Sequence, residues 1–183
     1  MGKKPPSPPT LEGLKKHWTK LFDALDSESD FICMVVATSY VDYALGALLE
    51  RYFVEGGSSE QLLRPIGGAL GPLHAKAGVT YCSGLISKGC KANIDRIGEI
   101  RNSFAHSLGE LSFSDPAVAD VARSLTLPAP YHDETKSADD PTIAEVRASE
   151  RKRFEYVVTV IVANLNAAAH HVKRCNSPVD CWQ

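Results

Sequence analysis

The sequence predicts an all-α, single-domain helical bundle of about five main helices. Three observations carry that prediction. Apolar residues recur at helical spacing along most of residues 11–174. Clusters of turn-forming residues separate these stretches, as at Asp26–Asp30, Gly56-Gly57, Pro65–Pro72 and Leu127–Pro130. One segment alone, Val157–Val162, has the β-branched content of a strand, and it lies inside a long helical pattern with no glycine or proline to bound it.

Residues 1–10 carry four prolines and two lysines and are expected to form a disordered tail. A first helix runs from about Thr10 to Asp26, with Leu11, Leu14, Trp18, Leu21, Phe22 and Leu25 on one face. The polar break Asp26–Asp30 caps a second helix, about Asp30 to Glu55, ended by Gly56-Gly57. Apolar residues cover nearly its whole circumference, which predicts burial by neighbours on several sides. Asp42 is the exception, a lone carboxylate within that run, and so the first candidate partner for a buried arginine.

Ser58-Ser59-Glu60 opens a short helical turn. The glycines of Pro65–Leu73 do not match a phosphate loop, because no G-x-x-x-x-G-K-S/T follows. A third helix is expected from about Pro72 to Cys82, stopped by Gly84, and a fourth from about Ser87 to Ser107. Asp115-Pro116 starts a short helix. Tyr131–Asp140 reads as a polar loop, and a single last helix is expected from about Thr142 to Arg174, followed by a flexible tail over 175–183.

The 183 residues are 44% hydrophobic and 23% charged, the profile of a soluble globular domain, and the formal net charge is −2. That balance gives no global basic field for nucleic acid, so such a partner would need a local patch. No apolar run reaches the roughly 18 residues of a membrane span, and the N-terminal lysines precede no apolar signal core. Five irregularly spaced cysteines fit reduced thiols in the cytoplasm. No four converging ligands are legible, so neither a metal nor another cofactor is expected.

The most informative stretch is Ile97–Ser107, which places Arg101, Asn102 and His106 within six residues. Ile94, Ile97, Ile100 and Phe104 recur at helical spacing and face a core. Polar groups beside such a stripe need partners or a task. One expectation pairs Arg101 with Asp42; Glu99 is a poor second, because residues two apart on a helix do not face each other. The other gives Arg101 a phosphate to hold and His106 a proton to move.

Gly71-Pro72-Leu73, Tyr81, Gly84-Leu85-Ile86, Ile100–His106 and Phe113-Ser114-Asp115, taken in that order, resemble the mannitol repressor (mannitol operon repressor-like) family across about residues 30–172. The resemblance implies an all-helical protein associated with transcriptional regulation and lacking a recognisable DNA-reading module. A wider resemblance is to HEPN domains, whose ribonucleases carry an Arg, a polar residue and a His; these map to Arg101, Asn102 and His106. It implies that in active members the motif works across a homodimer. Active toxins of that group often place Tyr two residues after the His, where this chain has Leu108.

Two functions follow as expectations. The first is a non-catalytic regulatory protein acting on transcription through a protein partner, as a homodimer. The second is a metal-independent ribonuclease with Arg101 holding the phosphate, Asn102 orienting a phosphate or His106, and His106 as general acid or base. The acidic flanks Glu99 and Glu110, against Arg96, Lys88 and Lys91, favour the first. Asp42, Glu99, Phe104 and Tyr81 are its structural or binding candidates.

Overall fold

The computed structural model describes residues 19–23, 25–26, 29–107, 110–127 and 141–175. The expected tail over 1–10, the start of the first helix, the polar loop over 131–140 and residues 176–183 lie outside them. Among the described residues the chain is helical and contains no strand. Helical residues 19–23 and 25 precede seven bounded helices. These are α1 (Asp30–Tyr52), α2 (Gly57–Leu62), α3 (Leu73–Cys82), α4 (Lys88–His106), α5 (Pro116–Ser124), α6 (Pro141–Ala148) and α7 (Glu150–His171).

Local chemistry sets most of these limits. Ser29 caps α1, its hydroxyl accepting from the Ile32 N–H at 3.3 Å, and Ser87 caps α4 through the Cys90 N–H at 3.1 Å. Gly84 follows α3 at φ +71°, a backbone conformation that disfavours a side chain. Pro116 occupies the first turn of α5, where its missing N–H costs no hydrogen bond. Before α3 the chain folds back so closely that a Cβ on Gly68 would lie 2.4 Å from the Arg64 carbonyl oxygen.

Two limits differ from the expectation. The helix α1 ends at Tyr52, before Gly56, because Phe53 turns extended with ψ 155°. The single last helix is two. Ser149 takes an extended conformation and its hydroxyl accepts from the Lys152 N–H at 3.3 Å, so it ends α6 and starts α7. Hydrophobic periodicity continues through this break, which is why the pattern alone hides it.

Pairing of α1 with α7 is the most extensive contact in the fold. Around it, α4, α5 and the residues near Leu21 and Leu25 close one core. Ile94, Ile97, Ile100 and Phe104 are fully buried there, as the α4 pattern predicts. Phe104 packs on Phe113 at 5.6 Å between ring centroids, and Phe113 on Phe154 at 4.9 Å. Val157–Val162 is helical, its core-facing residues buried.

Arg151 ties three segments together. Its guanidinium donates to Asp30 Oδ1, Glu155 Oε1 and the Leu25 carbonyl, each at 2.8 Å. Asp30 also accepts the Phe113 N–H at 2.9 Å. Asn93 joins α4 to the chain beyond α5, donating to the Thr126 carbonyl at 2.8 Å and accepting the Thr126 N–H at 2.9 Å.

The expectation of burial on several sides holds for only part of α1. Cys33, Met34, Ala37, Val41, Ala44, Leu45, Leu48 and Leu49 are in the core. Phe31, Ile32, Val35 and Tyr43 are exposed. By length and composition alone α1 is also apolar enough to cross a membrane, contrary to the sequence expectation; half of that apolar stretch is buried inside this fold.

Candidate functional site

The exposed side of α1 forms one wall of an open groove of about 940 Å³. Phe31, Val35, Ser39 and Tyr43 stand four residues apart, and that spacing puts them on one strip of the helix. The start of α3 contributes Pro72, Leu73 and His74. From α4 come Asp95, Gly98, Glu99, Arg101, Asn102 and Ala105.

Asp42 lies at this groove, and its partner is not Arg101. Lys76 of α3 donates to Asp42 Oδ2 at 2.6 Å. Lys76 is only 4% exposed, so its ammonium draws Asp42 into a part-buried ion pair that joins α3 to α1. The expected Arg101–Asp42 pair is thereby overturned. The physical reason is position: Lys76 rises from the core, whereas Arg101 is exposed. The sequence carried a signal for Lys76, the one lysine or arginine in the helix Leu73–Cys82.

Arg101 donates to Asn102 Oδ1 at 3.3 Å, and among the described residues it makes no ion pair. Glu99 is likewise exposed and its carboxylate makes no ion pair among the described residues; its backbone carbonyl accepts from Ser103 Oγ at 3.1 Å. Asp95, also at the groove, pairs with Lys91 one turn earlier on the same helix.

The motif residues therefore separate. Arg101 and Asn102 open into the groove; His106, in the last turn of α4, is exposed and does not line it. All three are exposed. Phe104 is a core residue, fully buried, and Tyr81 is exposed near the end of α3, away from the groove lining. Among the described residues no cluster of three or more His, Cys, Asp or Glu side chains is placed to hold a metal ion.

Sequence reasoning missed Phe31, Val35, Tyr43 and His74 as members of a site. The signal for the first three was the surplus of apolar surface on α1. Periodicity could not say which strip of it the neighbours would leave open.

No protein-family model matches the chain, and no curated protein matches it. Among solved structures, the fold is similar to that in the X-ray structure of the MtlR-HPr complex from Escherichia coli. The TM-score is 0.53 at 18% sequence identity, over 85% of this chain and 97% of that one. The likeness is one of all-helical fold.

Proposed function

We propose that this chain is a non-catalytic helical interaction protein of the mannitol-repressor type, which regulates transcription through a protein partner rather than by reading DNA. The observation that carries this reading is the groove. It offers exposed apolar side chains, Phe31, Val35 and Tyr43, beside charges of both signs, the composition of a protein-docking face rather than of a phosphate track. Its single arginine shares the lining with Asp42, Asp95 and Glu99, the first two already paired with Lys76 and Lys91. The complex of the similar repressor with HPr supports a protein as the partner class. The reading includes a homodimer in the cytoplasm.

A second reading keeps one specific observation in its favour. Arg101 is not consumed by an internal carboxylate, so its guanidinium is available to a phosphate. A HEPN-type ribonuclease would use it with Asn102 and His106.

Incubation of purified protein with single-stranded RNA in EDTA separates the two. The interaction reading expects no cleavage, and His106→Ala indistinguishable from wild type. Cleavage that co-purifies with the protein and disappears in both His106→Ala and Arg101→Ala establishes the ribonuclease instead. Calorimetric titration with HPr then tests the partner class directly.

A further inference from the structure

We propose that Cys82 and Cys175 form a peroxide-responsive thiol pair, which closes to a disulfide between the end of α3 and the chain that follows α7. Neither residue lines the groove, and the inference is independent of the function read from it.

The fold brings the two segments together at one end of the bundle. The helix α3 packs on α1, and α1 pairs with α7. Where these helices end, the Cys175 N–H donates to the Tyr52 carbonyl at 2.7 Å. The Tyr52 hydroxyl is hydrogen-bonded to both the Cys175 thiol and the Ser83 side chain. Ser83 directly follows Cys82, and adjacent Cα atoms are about 3.8 Å apart. One phenol thus touches the thiol of one cysteine and the immediate neighbour of the other.

Reactivity selects the same two thiols. Cys82 is exposed and Cys175 half-buried. Burial raises both other described thiols, Cys33 to about 12 and Cys90 above its ordinary value, which keeps them protonated and slow to react. Cys175 also has freedom to approach. It lies beyond the end of α7, held by its contacts to Tyr52 and beside an exposed Arg174–Glu55 ion pair at 3.2 Å, of a kind worth little in water. A disulfide needs Cα atoms within about 4.4–6.8 Å, and this segment is the one that closes the remaining distance.

The oxidant is hydrogen peroxide. The exposed Cys82 thiolate displaces hydroxide from it and becomes a sulfenic acid, and the hydroxide takes up the thiol's proton as water. The Cys175 thiol attacks that sulfur, the S–S bond forms, and the sulfenic oxygen leaves as a second water. The bond ties α3, whose other end supplies Leu73 and His74 to the groove, to the end of α7.

Peroxide treatment of the native full chain, followed by alkylation and tryptic mass mapping, tests this. The expected product joins fragment 77–88 to fragment 175–183, and dithiothreitol separates them. The second fragment also contains Cys181, so two variants assign the bond: Cys175→Ser abolishes the link and Cys181→Ser retains it. In urea the link falls at least about tenfold, displaced by Cys175 bonded to Cys181, because an unfolded chain closes short loops most readily. Non-reducing electrophoresis shows the native link within one chain. A link that survives Cys175→Ser, a link between chains, a native product equal to the urea product, or Cys82 driven to sulfinic acid with no link overturns the inference.

Discussion

Lys76 reaches from within α3 to Asp42 on α1, Nζ to Oδ2 at 2.6 Å, and the two ends of this pair sit in different surroundings. The lysine side chain is 5% exposed and the aspartate 37%. Water at the groove can solvate the carboxylate but not the ammonium. Removing the carboxylate is therefore the more damaging change. Asp42→Ala should cost about 3–5 kcal/mol by stranding a buried ammonium, whereas Lys76→Met should cost clearly less. Urea denaturation of both variants measures the difference, and equal losses would contradict this asymmetry.

Phe104 holds the centre of an aromatic run with Phe113 and Phe154, and it has no exposed surface. Phe104→Ala should destabilise by about 3–5 kcal/mol through lost burial and the cavity left behind. His106→Ala, two residues on but exposed, should shift the urea midpoint little.

The Arg151 hub predicts a graded response. Arg151→Leu removes ties to Asp30, Glu155 and the Leu25 carbonyl, while Glu155 keeps Lys152 at 2.8 Å. The expected loss is about 3 kcal/mol, the lower end for a broken buried pair, because Lys152 still neutralises Glu155. Removal of Lys152 alone, an exposed partner, should cost under about 1 kcal/mol. Thermal melts of the two variants provide the comparison.

Burial pushes the Cys33 thiol up to about 12, with the nearby Glu155 carboxylate adding to the rise. The folded state therefore holds this proton more tightly than the unfolded chain. The stabilisation is complete below the unfolded thiol range, near 8.5–9, and is lost as pH rises towards 12. Cys33→Ala should show a flatter decline of urea midpoint over that interval than wild type. Native protein at pH 8 should also leave this thiol unmodified by a thiol reagent, while the exposed Cys82 reacts.

Ser149 offers a smaller test. Its hydroxyl caps α7, and Ser149→Ala should cost about 1 kcal/mol. If α6 and α7 instead merged into one continuous helix, the variant would gain stability.

Much of the architecture follows from local sequence. The strip Ile94, Ile97, Ile100 and Phe104 determined that α4 lies against the core, because four apolar side chains at helical spacing have one favourable place to go. Ser29, Ser87, Gly84 and Pro116 determined where helices start or stop, since capping hydroxyls, positive φ and a missing N–H act within a few residues. Asp42 stood out as a carboxylate needing a partner. Its partner was decided only by tertiary structure: Lys76 and Arg101 are both cations far along the chain, and the packing of α3 on α1 brought the former within 2.6 Å. The same holds for the groove. The sequence determined that α1 is apolar on nearly every side. Which side remained open depended on where α3, α4 and α7 could pack at once, and that competition among long-range contacts has no local signature. It left Phe31, Val35 and Tyr43 at the surface and turned Arg101 outward beside Glu99.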